Sequence, residues 1–454
     1  MKDVKNKQIV IAGAARSGIG IALLLKQKGA IPFVSDMGAI QEKVASKLRE
    51  AGIAFEDHEH SQKALEGEFL VLSPGVPTSS YLPREYLTAG KKVYSEIEAA
   101  SWFNHSPIVA VTGSNGKTTV TNWLAHTWKT ANRSYLLGGN IGTAFSEIVE
   151  ESAPQKDALL EVSSFQLDHI STFHPRTSII LNITPDHLDR YDHNFEKYTK
   201  SKLRITENQD KNDWFIYNFD DPQLTAHAGN LASEKQSPRL LAYSCESEVP
   251  DNGAFVRNGQ LILKINHEEE PLMQIEELGL TGRHNLGNGM ATALAARASE
   301  INNEYIRESL RTFEGVAHRL EMVRTVDGVR YVNDSKATNI NAVWYALDSF
   351  TMPIVLILGG RDKGNDYKEL EKQIRSKVHT IISLGEAKKA IKDQLGDIVP
   401  TLMEADSMKQ AVKLAKKQAK RGEIVLLSPA CSSFDMFDNY EHRGDVFKEE
   451  VSEL

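Results

Sequence analysis

The strongest chemical signal in this chain is a glycine-rich loop that carries a lysine and two threonines. The run Gly113-Ser114-Asn115-Gly116-Lys117-Thr118-Thr119 follows a β-branched apolar segment and precedes a helical pattern. Glycines let backbone amides approach phosphate oxygens, and the start of a helix adds positive potential. Lys117 would reach the outer phosphates of a nucleotide, and Thr118 would offer its hydroxyl to Mg²⁺. The full phosphate-loop spacing requires glycine where Val111 stands, so we interpret the loop as a shortened variant.

A carboxylate and a histidine follow later strands and suggest metal binding. Glu161 ends a predicted buried strand, and an unpaired buried carboxylate is costly unless it binds a metal ion. A solvated carboxylate at a strand end is the alternative. The segment from Asn182 to Arg190 contains His187, but its spacing fits no standard zinc pattern.

A second glycine-rich segment, Gly13 to Gly20, resembles the cofactor loop of short-chain dehydrogenases. Asp36 falls about where an acidic residue would bind a ribose in such a protein. Tyr198 and Lys202 also match the Y-x-x-x-K pair of that family. The phosphate loop lies between the two features, and a one-domain dehydrogenase has no use for it. We therefore interpret the Tyr198 and Lys202 pair as a coincidence. We expect the segment from Gly13 to Gly20 to bind a nucleotide-like phosphate in another role.

Cations cluster on turns in the last third of the chain. Arg319, Lys336 and Lys363 each stand in a polar turn near a predicted strand. Grouped on one sheet edge, they would suit carboxylate and phosphate groups. Cys431 has no histidine or acidic partner placed by the sequence, so we expect a buried small residue rather than a nucleophile.

Composition limits the classes of protein that can carry these motifs. The chain has 454 residues, 41% hydrophobic and 25% charged, with a net charge of −8. This composition is typical of a globular protein of roughly three domains, and it gives no basic excess for nucleic acid. The two cysteines indicate free thiols in a reducing compartment. No segment is apolar for long enough to span a membrane. We expect a cytoplasmic monomer that is not inserted in a membrane.

The elements that must position the motifs alternate between short β-branched runs and helical stretches. Such alternation predicts parallel sheets covered by helices, with ligands at the carboxyl ends of the strands. We predict an α/β protein of three domains, each a mostly parallel sheet with helices: Rossmann-like, phosphate-loop ATPase and Rossmann-like. The predicted domains are residues 1–96, 97–300 and 301–454. Within the second, Asn258-Gly259 predicts a hairpin between two antiparallel strands.

In this order, the motifs resemble those of the Mur ligase family over essentially the whole chain. The GSNGKTT loop is shared with the wider family, including folylpolyglutamate synthases. More particular are GGNIG at 138–142, EVSSFQL at 161–167, NDSKATN at 333–339 and SPACSSFDMFDNYEHRGDVF at 428–447. These four point to the member that adds D-glutamate to UDP-N-acetylmuramoyl-L-alanine. The resemblance implies a UDP-binding domain, an ATPase domain and an amino-acid-binding domain, with ATP and two Mg²⁺ ions.

The resemblance also implies residue roles. The ATP-binding set is the phosphate loop from Gly113 to Thr119 with Asn288, Arg319 and Asp334. The metal ligands are Thr118, Glu161, His187 and Lys202, the last as a carbamate. The substrate-binding set is Ser17, Ser73, Gly75, Asn140, Thr338, Lys363, Ser433 and Tyr440. The catalytic set is Lys117, His187, Lys202 and Lys336. Met37 and Gly38 after Asp36, and Tyr440 in place of a phenylalanine, depart from the family pattern.

Three competing functions remain at this stage. The first is another amide ligase of the same family, with a different amino acid or a folate acceptor. The second is an NAD-dependent oxidoreductase, which would change NADH absorbance rather than release ADP. The third is a nucleotide-operated switch, which would bind ATP with little turnover.

Overall fold

A computed structural model describes residues 2–266, 268–362 and 364–454. Its sheets are mostly parallel and covered by helices, which confirms the predicted α/β class. The chain divides into two compact units. The first consists of Met1–Glu277 and Gly287–Thr312, and the second consists of Leu278–Leu286 and Phe313–Leu454. The first unit holds two of the sheets and the second unit holds the third. The predicted boundaries at 96/97 and 300/301 stay predictions.

The first sheet has five parallel strands. They are β1 (Gln8–Ala12), β2 (Ile31–Ser35), β3 (Ala54–Glu56), β4 (Phe69–Leu72) and β5 (Lys92–Ser95). The helices are α1 (Arg16–Gln27), α2 (Glu42–Glu50), α3 (Tyr81–Thr88) and α4 (Glu96–Ser101). The spatial order is β3-β2-β1-β4-β5, so the strand order reverses between β1 and β4. Ligands of such sheets bind beyond the carboxyl ends of the strands at this reversal.

The second sheet has nine strands. They are β6 (Ile108–Thr112), β7 (Tyr135–Gly139), β8 (Asp157–Glu161), β9 (Thr177–Ile180), β10 (Trp214–Asn218), β11 (Arg239–Tyr243), β12 (Gly253–Arg257), β13 (Gln260–Ile265) and β14 (Glu268–Gln274). The helices are α5 (Lys117–Thr130), α6 (Phe145–Ile148), α7 (Ser164–Leu167), α8 (Phe195–Leu203), α9 (Pro222–Ala232), α10 (Arg283–Ala298) and α11 (Asn303–Thr312). The order is β14-β13-β12-β11-β10-β9-β6-β8-β7. Strands β8 and β9 therefore flank β6, the strand that leads into the phosphate loop.

The predicted hairpin is confirmed. Strands β12 and β13 pair antiparallel, and Arg257 lies opposite Gln260. Asn258 and Gly259 both have positive φ, 51° and 75°. That left-handed backbone matches the twist of the flanking strands, which is why asparagine followed by glycine suits the turn.

The third sheet forms the core of the second unit. Its strands are β15 (Glu321–Val326), β16 (Val329–Asn333), β17 (Ile354–Gly359), β18 (Val378–Leu384), β19 (Thr401–Ala405) and β20 (Ile424–Leu427). Its helices are α12 (Ile340–Asp348), α13 (Glu371–Lys377), α14 (Lys388–Leu395), α15 (Met408–Gln418) and α16 (Tyr440–Ser452). The order is β15-β16-β20-β17-β18-β19, and only the β15–β16 pair is antiparallel. The carboxyl ends of β16, β20 and β17 are therefore neighbours.

The side chains of β17 show why this sheet is covered on both faces. Leu356 and Leu358 pack in one apolar cluster, whereas Val355 and Ile357 pack in another. Successive side chains of a strand point to opposite faces, so an uninterrupted apolar run requires helices on both. No described helix combines the length and the apolar character that a membrane crossing requires.

Glu98 in α4 ties the first sheet to the second. Its buried carboxylate accepts hydrogen bonds from the backbone N–H groups of Ser171, Thr172 and Phe173 at 2.8–3.0 Å. The hydroxyl of Thr172 and the indole N–H of Trp102 also donate to it, at 2.7 and 2.8 Å. A carboxylate with this many donors is a strong local anchor.

Candidate active site

The phosphate loop connects β6 to α5 and is shaped by two glycines. Gly113 and Gly116 have φ of 148° and 87°, a backbone that side chains disfavour. A Cβ atom at Gly116 would lie 2.7 Å from Oδ1 of Asn288. Asn288 thus packs directly against the loop. The loop meets the start of a helix, whose free N–H groups and dipole favour an anion.

Two lysines share one carbonyl oxygen beneath this loop. Nζ of Lys117 donates to the carbonyls of Gly113 and Ser114 at 2.8 and 2.9 Å. Nζ of Lys202, in α8, donates to the same Gly113 carbonyl at 2.9 Å. Burial and the nearby Lys117 charge lower the pKa of Lys202 well below its usual value. A lowered pKa favours the neutral form of the Lys202 amine.

Glu161 lies beside the first turn of α5. The hydroxyl of Thr118 donates to Oε2 of Glu161 at 2.7 Å, and Nδ2 of Asn140 donates to Oε1 at 3.0 Å. Glu161 is 3% exposed, so the solvated-carboxylate alternative does not hold. The structure thus brings Thr118, Glu161 and Asn140 together at one end of the loop.

His187 lies on the segment that follows β9. It has φ of 51°, its Nε2 lies 3.7 Å from Oδ2 of Asp186, and its ring packs edge-on against Phe165 at 5.1 Å. The Asp186 charge also acts on Lys202. His187 and Lys202 are therefore near a common carboxylate.

The oxygen donors at the phosphate loop fit Mg²⁺ only together with further ligands, such as phosphate oxygens and water. Among the described residues, no group of three or more His, Cys, Asp or Glu side chains is placed to hold a metal ion. The hydroxyl of Thr118 and the carboxylate of Glu161 are hard oxygen donors, which Mg²⁺ prefers along with phosphate oxygens and water. Nδ2 of Asn115 and Oγ1 of Thr184 are buried without a hydrogen-bond partner in the described chain. These groups fit a polar ligand at the loop.

Asn182, which follows β9 and had no predicted role, holds the phosphate loop in place. Asn182 accepts from the backbone N–H of Asn115 at 2.9 Å and donates to its carbonyl at 3.1 Å. The hydroxyl of Ser114 lies 2.9 Å from that of Tyr198 and donates to the Thr184 carbonyl at 2.8 Å. The position of Asn182 directly after a strand was the signal available in the sequence.

The same contacts remove the basis of the dehydrogenase interpretation. Tyr198 and Lys202 face the phosphate loop rather than the Gly13 segment. Both carboxylate oxygens of Asp36 accept from backbone N–H groups, those of Ala14 at 2.6 Å and Gly38 at 2.7 Å. Asp36 therefore joins its own turn after β2 to the Gly13 segment.

The residues predicted to bind the UDP group lie at the reversal of the first sheet. Ser17 is in the first turn of α1, after β1, and Ser73 and Gly75 follow β4. A Cβ atom at Gly13 would lie 3.0 Å from Cβ of Ser73, so the two loops are in close approach. Arg190 donates to the carbonyls of Pro74 and Val76, at 3.0 Å each, and thus connects the segment after β9 to this edge.

In the second unit, a buried carboxyl group follows β16. Asp334 is 1% exposed, accepts from the Ser428 hydroxyl at 2.8 Å, and lies 3.8 Å from Arg319. Burial raises the pKa of Asp334 to about 6. The Lys336 backbone N–H donates to the His318 carbonyl at 3.0 Å, which sets Lys336 beside the Arg319 loop.

The other predicted residues of this unit lie on the same group of loops. Nζ of Lys336 lies 5.1 Å from the ring centroid of Tyr440. Ser433 is buried and Thr338 is half-buried. Lys363 lies outside the described residues. The structure therefore brings Lys336 and Tyr440 together, and Thr338 and Ser433 follow the neighbouring strands β16 and β20.

Arg443 is a further residue that the sequence analysis did not assign. It is 1% exposed and donates to the hydroxyl and carbonyl of Ser335 at 2.9 and 2.7 Å and to the carbonyl of Cys431 at 3.0 Å. It thus joins the loop after β16 to the loop after β20. Cys431 is buried, as predicted, and burial raises its thiol pKa to about 11. For Arg443, the signal available in the sequence was its position within the 428–447 motif.

Comparison with known proteins identifies the family. The chain matches the Mur ligase middle domain over residues 111–296 and the Mur ligase glutamate ligase domain over residues 318–431. It is 50% identical to UDP-N-acetylmuramoylalanine--D-glutamate ligase of Salinibacter ruber, covering 100% of this chain and 99% of the relative. The chain belongs to the Mur ligase family. This Mur ligase is also 43% identical to the enzyme of the same name from Chloroherpeton thalassium, over 100% of the chain and 99% of the relative.

Solved structures share the fold of this Mur ligase. UDP-N-acetylmuramate-alanine ligase of Thermotoga maritima matches with a TM-score of 0.61 at 16% identity, over 99% of this chain and 100% of that one. The MurF ligase of Thermotoga maritima, solved in complex with ADP, matches with a TM-score of 0.60 at 16% identity, over 99% and 96%. At this identity the likeness establishes the fold.

Proposed function

We propose that this Mur ligase joins D-glutamate to UDP-N-acetylmuramoyl-L-alanine with cleavage of ATP to ADP and phosphate, a step of peptidoglycan precursor synthesis. The observation that carries the proposal is full-length identity of 50% to a ligase of that name. The glycine loop with Lys117, Thr118 and Glu161 supports the use of ATP.

The chemistry requires activation because a carboxylate is a poor electrophile. The carboxylate of the L-alanyl group attacks the γ-phosphorus of ATP, which forms an acyl phosphate and releases ADP. The amine of D-glutamate then attacks the acyl carbon, the C–O bond to phosphate breaks, and the ammonium proton is lost. Catalysis of this kind depends on positioning and charge neutralisation.

In this proposal the first unit binds the triphosphate. The backbone amides from Gly113 to Thr119 would surround the phosphates, Lys117 would turn from the Gly113 carbonyl to the outer phosphates, and Asn288 would contact the nucleotide. Thr118 and Glu161 would hold one Mg²⁺, and His187 with carbamylated Lys202 would hold a second. Bound Mg²⁺ would supply charge neutralisation on the phosphate oxygens.

The remaining roles divide between substrate and acceptor. Ser17, Ser73, Gly75 and Asn140 would bind the UDP-sugar. Arg319 and Asp334 would contact the nucleotide. Thr338, Lys363, Ser433 and Tyr440 would bind D-glutamate. Lys336 would neutralise charge on the acyl oxygen or on the departing phosphate, since this cation lies on the same group of loops as the residues proposed to bind D-glutamate.

ADP release tests the substrate assignment. The assay contains ATP, Mg²⁺ and UDP-N-acetylmuramoyl-L-alanine, with D-glutamate, L-glutamate, glycine or no amino acid. We expect sustained ADP release only with D-glutamate. Turnover with another amine would keep the family and discard the acceptor. ATP binding without turnover in any mixture would favour the nucleotide-operated switch.

The carbamate is tested at Lys202. Lys202→Ala should abolish turnover, whereas Lys200→Ala, on the exposed face of the same helix, should not. If the carbamate is the essential form, short carboxylates added to Lys202→Ala should restore part of the activity. Normal turnover by Lys202→Ala would refute the assignment.

A further inference from the structure

A small cavity lies at the edge of the nine-stranded sheet opposite the phosphate loop. Trp214 and Arg239 begin strands β10 and β11, whereas the phosphate loop follows the end of β6, and these strands run parallel through β9. The cavity measures about 210 Å³. It is lined by Trp214, Arg239, Leu241, Ile265, Asn266, Arg297 and Ala298. None of these residues has a role in the proposed reaction.

The polar side of this cavity is formed by Asn266 and two arginines, of which Arg239 is exposed and Arg297 is half-buried. Nε of Arg297 is buried and has no hydrogen-bond partner among the described residues. The same guanidinium lies 3.7 Å from Glu270, too far for a hydrogen bond. Arg239 stacks 5.0 Å from the ring of Trp214, and its Nε donates to the Lys211 carbonyl at 3.2 Å. In the described part of the chain, Arg239 has no carboxylate partner within 4.0 Å.

The neighbouring space has a mixed charge, since its lining also includes Asp157, Asp213 and Glu300. A cavity of about 560 Å³ shares Ala298 with the first and is lined by Arg133, Arg176 and His174 among others. Its buried acids are already engaged, Asp157 by Arg133 at 3.3 Å and Asp213 by His174 at 2.6 Å. The two buried acids of this edge therefore pair with other side chains, and the carboxylate near the two arginines is Glu270, 3.7 Å from Arg297.

The apolar side of the smaller cavity is formed by Trp214, Leu241 and Ile265. A buried N–H without an acceptor is costly, and a guanidinium pairs best with a planar or tetrahedral oxyanion. We propose that this cavity binds a small organic oxyanion. Its carboxylate or phosphate oxygens accept from Arg239 and Arg297, and its apolar part lies against Trp214, Leu241 and Ile265.

The fluorescence of Trp214 gives a direct test on the full-length protein. The probes are benzoate, phenyl phosphate and the uncharged benzyl alcohol at equal ionic strength. We expect saturable quenching by one or both anions and none by the alcohol. A response to benzoate alone, or to phenyl phosphate alone, identifies which oxyanion the site takes. Trp214→Phe should remove the response.

Three variants separate this site from the nucleotide site and from general charge effects. Arg239→Gln should raise the dissociation constant about tenfold or more, because a charge-assisted hydrogen bond is lost. Lys235→Gln, an exposed cation four residues away, should leave it unchanged, and so should Lys117→Ala at the phosphate loop. Equal quenching by benzyl alcohol, an unchanged constant in Arg239→Gln, or no saturable response would overturn the proposal. ADP release by Arg239→Gln should stay normal, which would verify that this variant is folded.

Discussion

In the proposed function, Lys117 is the side chain on which phosphate binding would depend most directly, since its ammonium contacts the Gly113 and Ser114 carbonyls of the loop. Lys117→Ala should lower the rate of ADP release by roughly two to three orders of magnitude, because one preorganised donor to the phosphates is lost. Lys129→Ala, exposed in the last turn of the same helix, is the matched control. Near-normal release by Lys117→Ala, with an unchanged melting temperature in both variants, would contradict the assignment.

Glu96 gives a pH-dependent prediction. Its carboxyl group is fully buried, Oε1 accepts from the Ser146 N–H at 2.7 Å, and burial raises its pKa to about 7. An unfolded glutamate ionises near pH 4.3, so the folded state holds the proton over a window in which the unfolded state has released it. The stabilising contribution is complete below about pH 4 and is lost as pH rises through about 7.

Glu96→Gln removes this titration while keeping the shape of the side chain. We expect the free energy of unfolding of the variant, relative to the natural chain, to increase between pH 4.5 and pH 7.5, by on the order of 1–3 kcal/mol. Urea denaturation at the two pH values measures the difference. A difference that does not change with pH would show that Glu96 does not titrate in this window.

At the scale of elements, the segment Ser171–Phe173 is held to α4 by one carboxylate. Glu98→Gln replaces one acceptor oxygen by an NH₂ group, which is a donor and faces the backbone N–H donors. We therefore expect the free energy of unfolding to fall by roughly 2–4 kcal/mol. Glu85→Gln, exposed on α3, should change it by less than about 0.5 kcal/mol. Equal denaturant midpoints for the two variants would mean that the anchor contributes nothing.

Part of the fold could be predicted from local pattern. The apolar runs Gln8–Ala12, Phe69–Leu72 and Ile424–Leu427 coincide with β1, β4 and β20, and Asn258-Gly259 located the hairpin. The strand β7, which ends in Gly138 and Gly139, was not placed, because its glycines weaken a strand pattern. A Cβ atom at Gly139 would lie 2.3 Å from the Glu161 carbonyl, a close approach that only the folded sheet defines.

The candidate site was predictable where residues adjoin in sequence, as in the phosphate loop. The parts of the site that depend on contacts between segments distant in sequence could not be predicted. Asn182 reaches Asn115 across the β6–β9 pair, and Arg443 joins two loops from the start of the last helix. No local period or spacing encodes such contacts, because they arise from strand order.

At the scale of the whole molecule, two compact units imply unfolding that is not two-state. Of the five tryptophans, Trp102, Trp123, Trp128 and Trp214 belong to the first unit and Trp344 to the second. We expect the denaturation curves from fluorescence and from circular dichroism to differ in midpoint. In Trp344→Phe, fluorescence should follow the first unit alone, whereas circular dichroism should still report both. Coincident curves in the natural chain and in the variant would indicate one cooperative unit.

The reciprocal hydrogen bonds between Asn115 and Asn182 also affect how the protein ages. Asparagine followed by glycine deamidates when the next backbone nitrogen attacks the side-chain amide, which requires local freedom of the chain. The chain has this dipeptide at four positions, Asn115-Gly116, Asn252-Gly253, Asn258-Gly259 and Asn288-Gly289. In the phosphate loop, the N–H and carbonyl of Asn115 are both bound to Asn182. During storage, deamidation should therefore be slower at Asn115 than at Asn258 in the hairpin turn, where one added negative charge lies far from the phosphate loop in sequence.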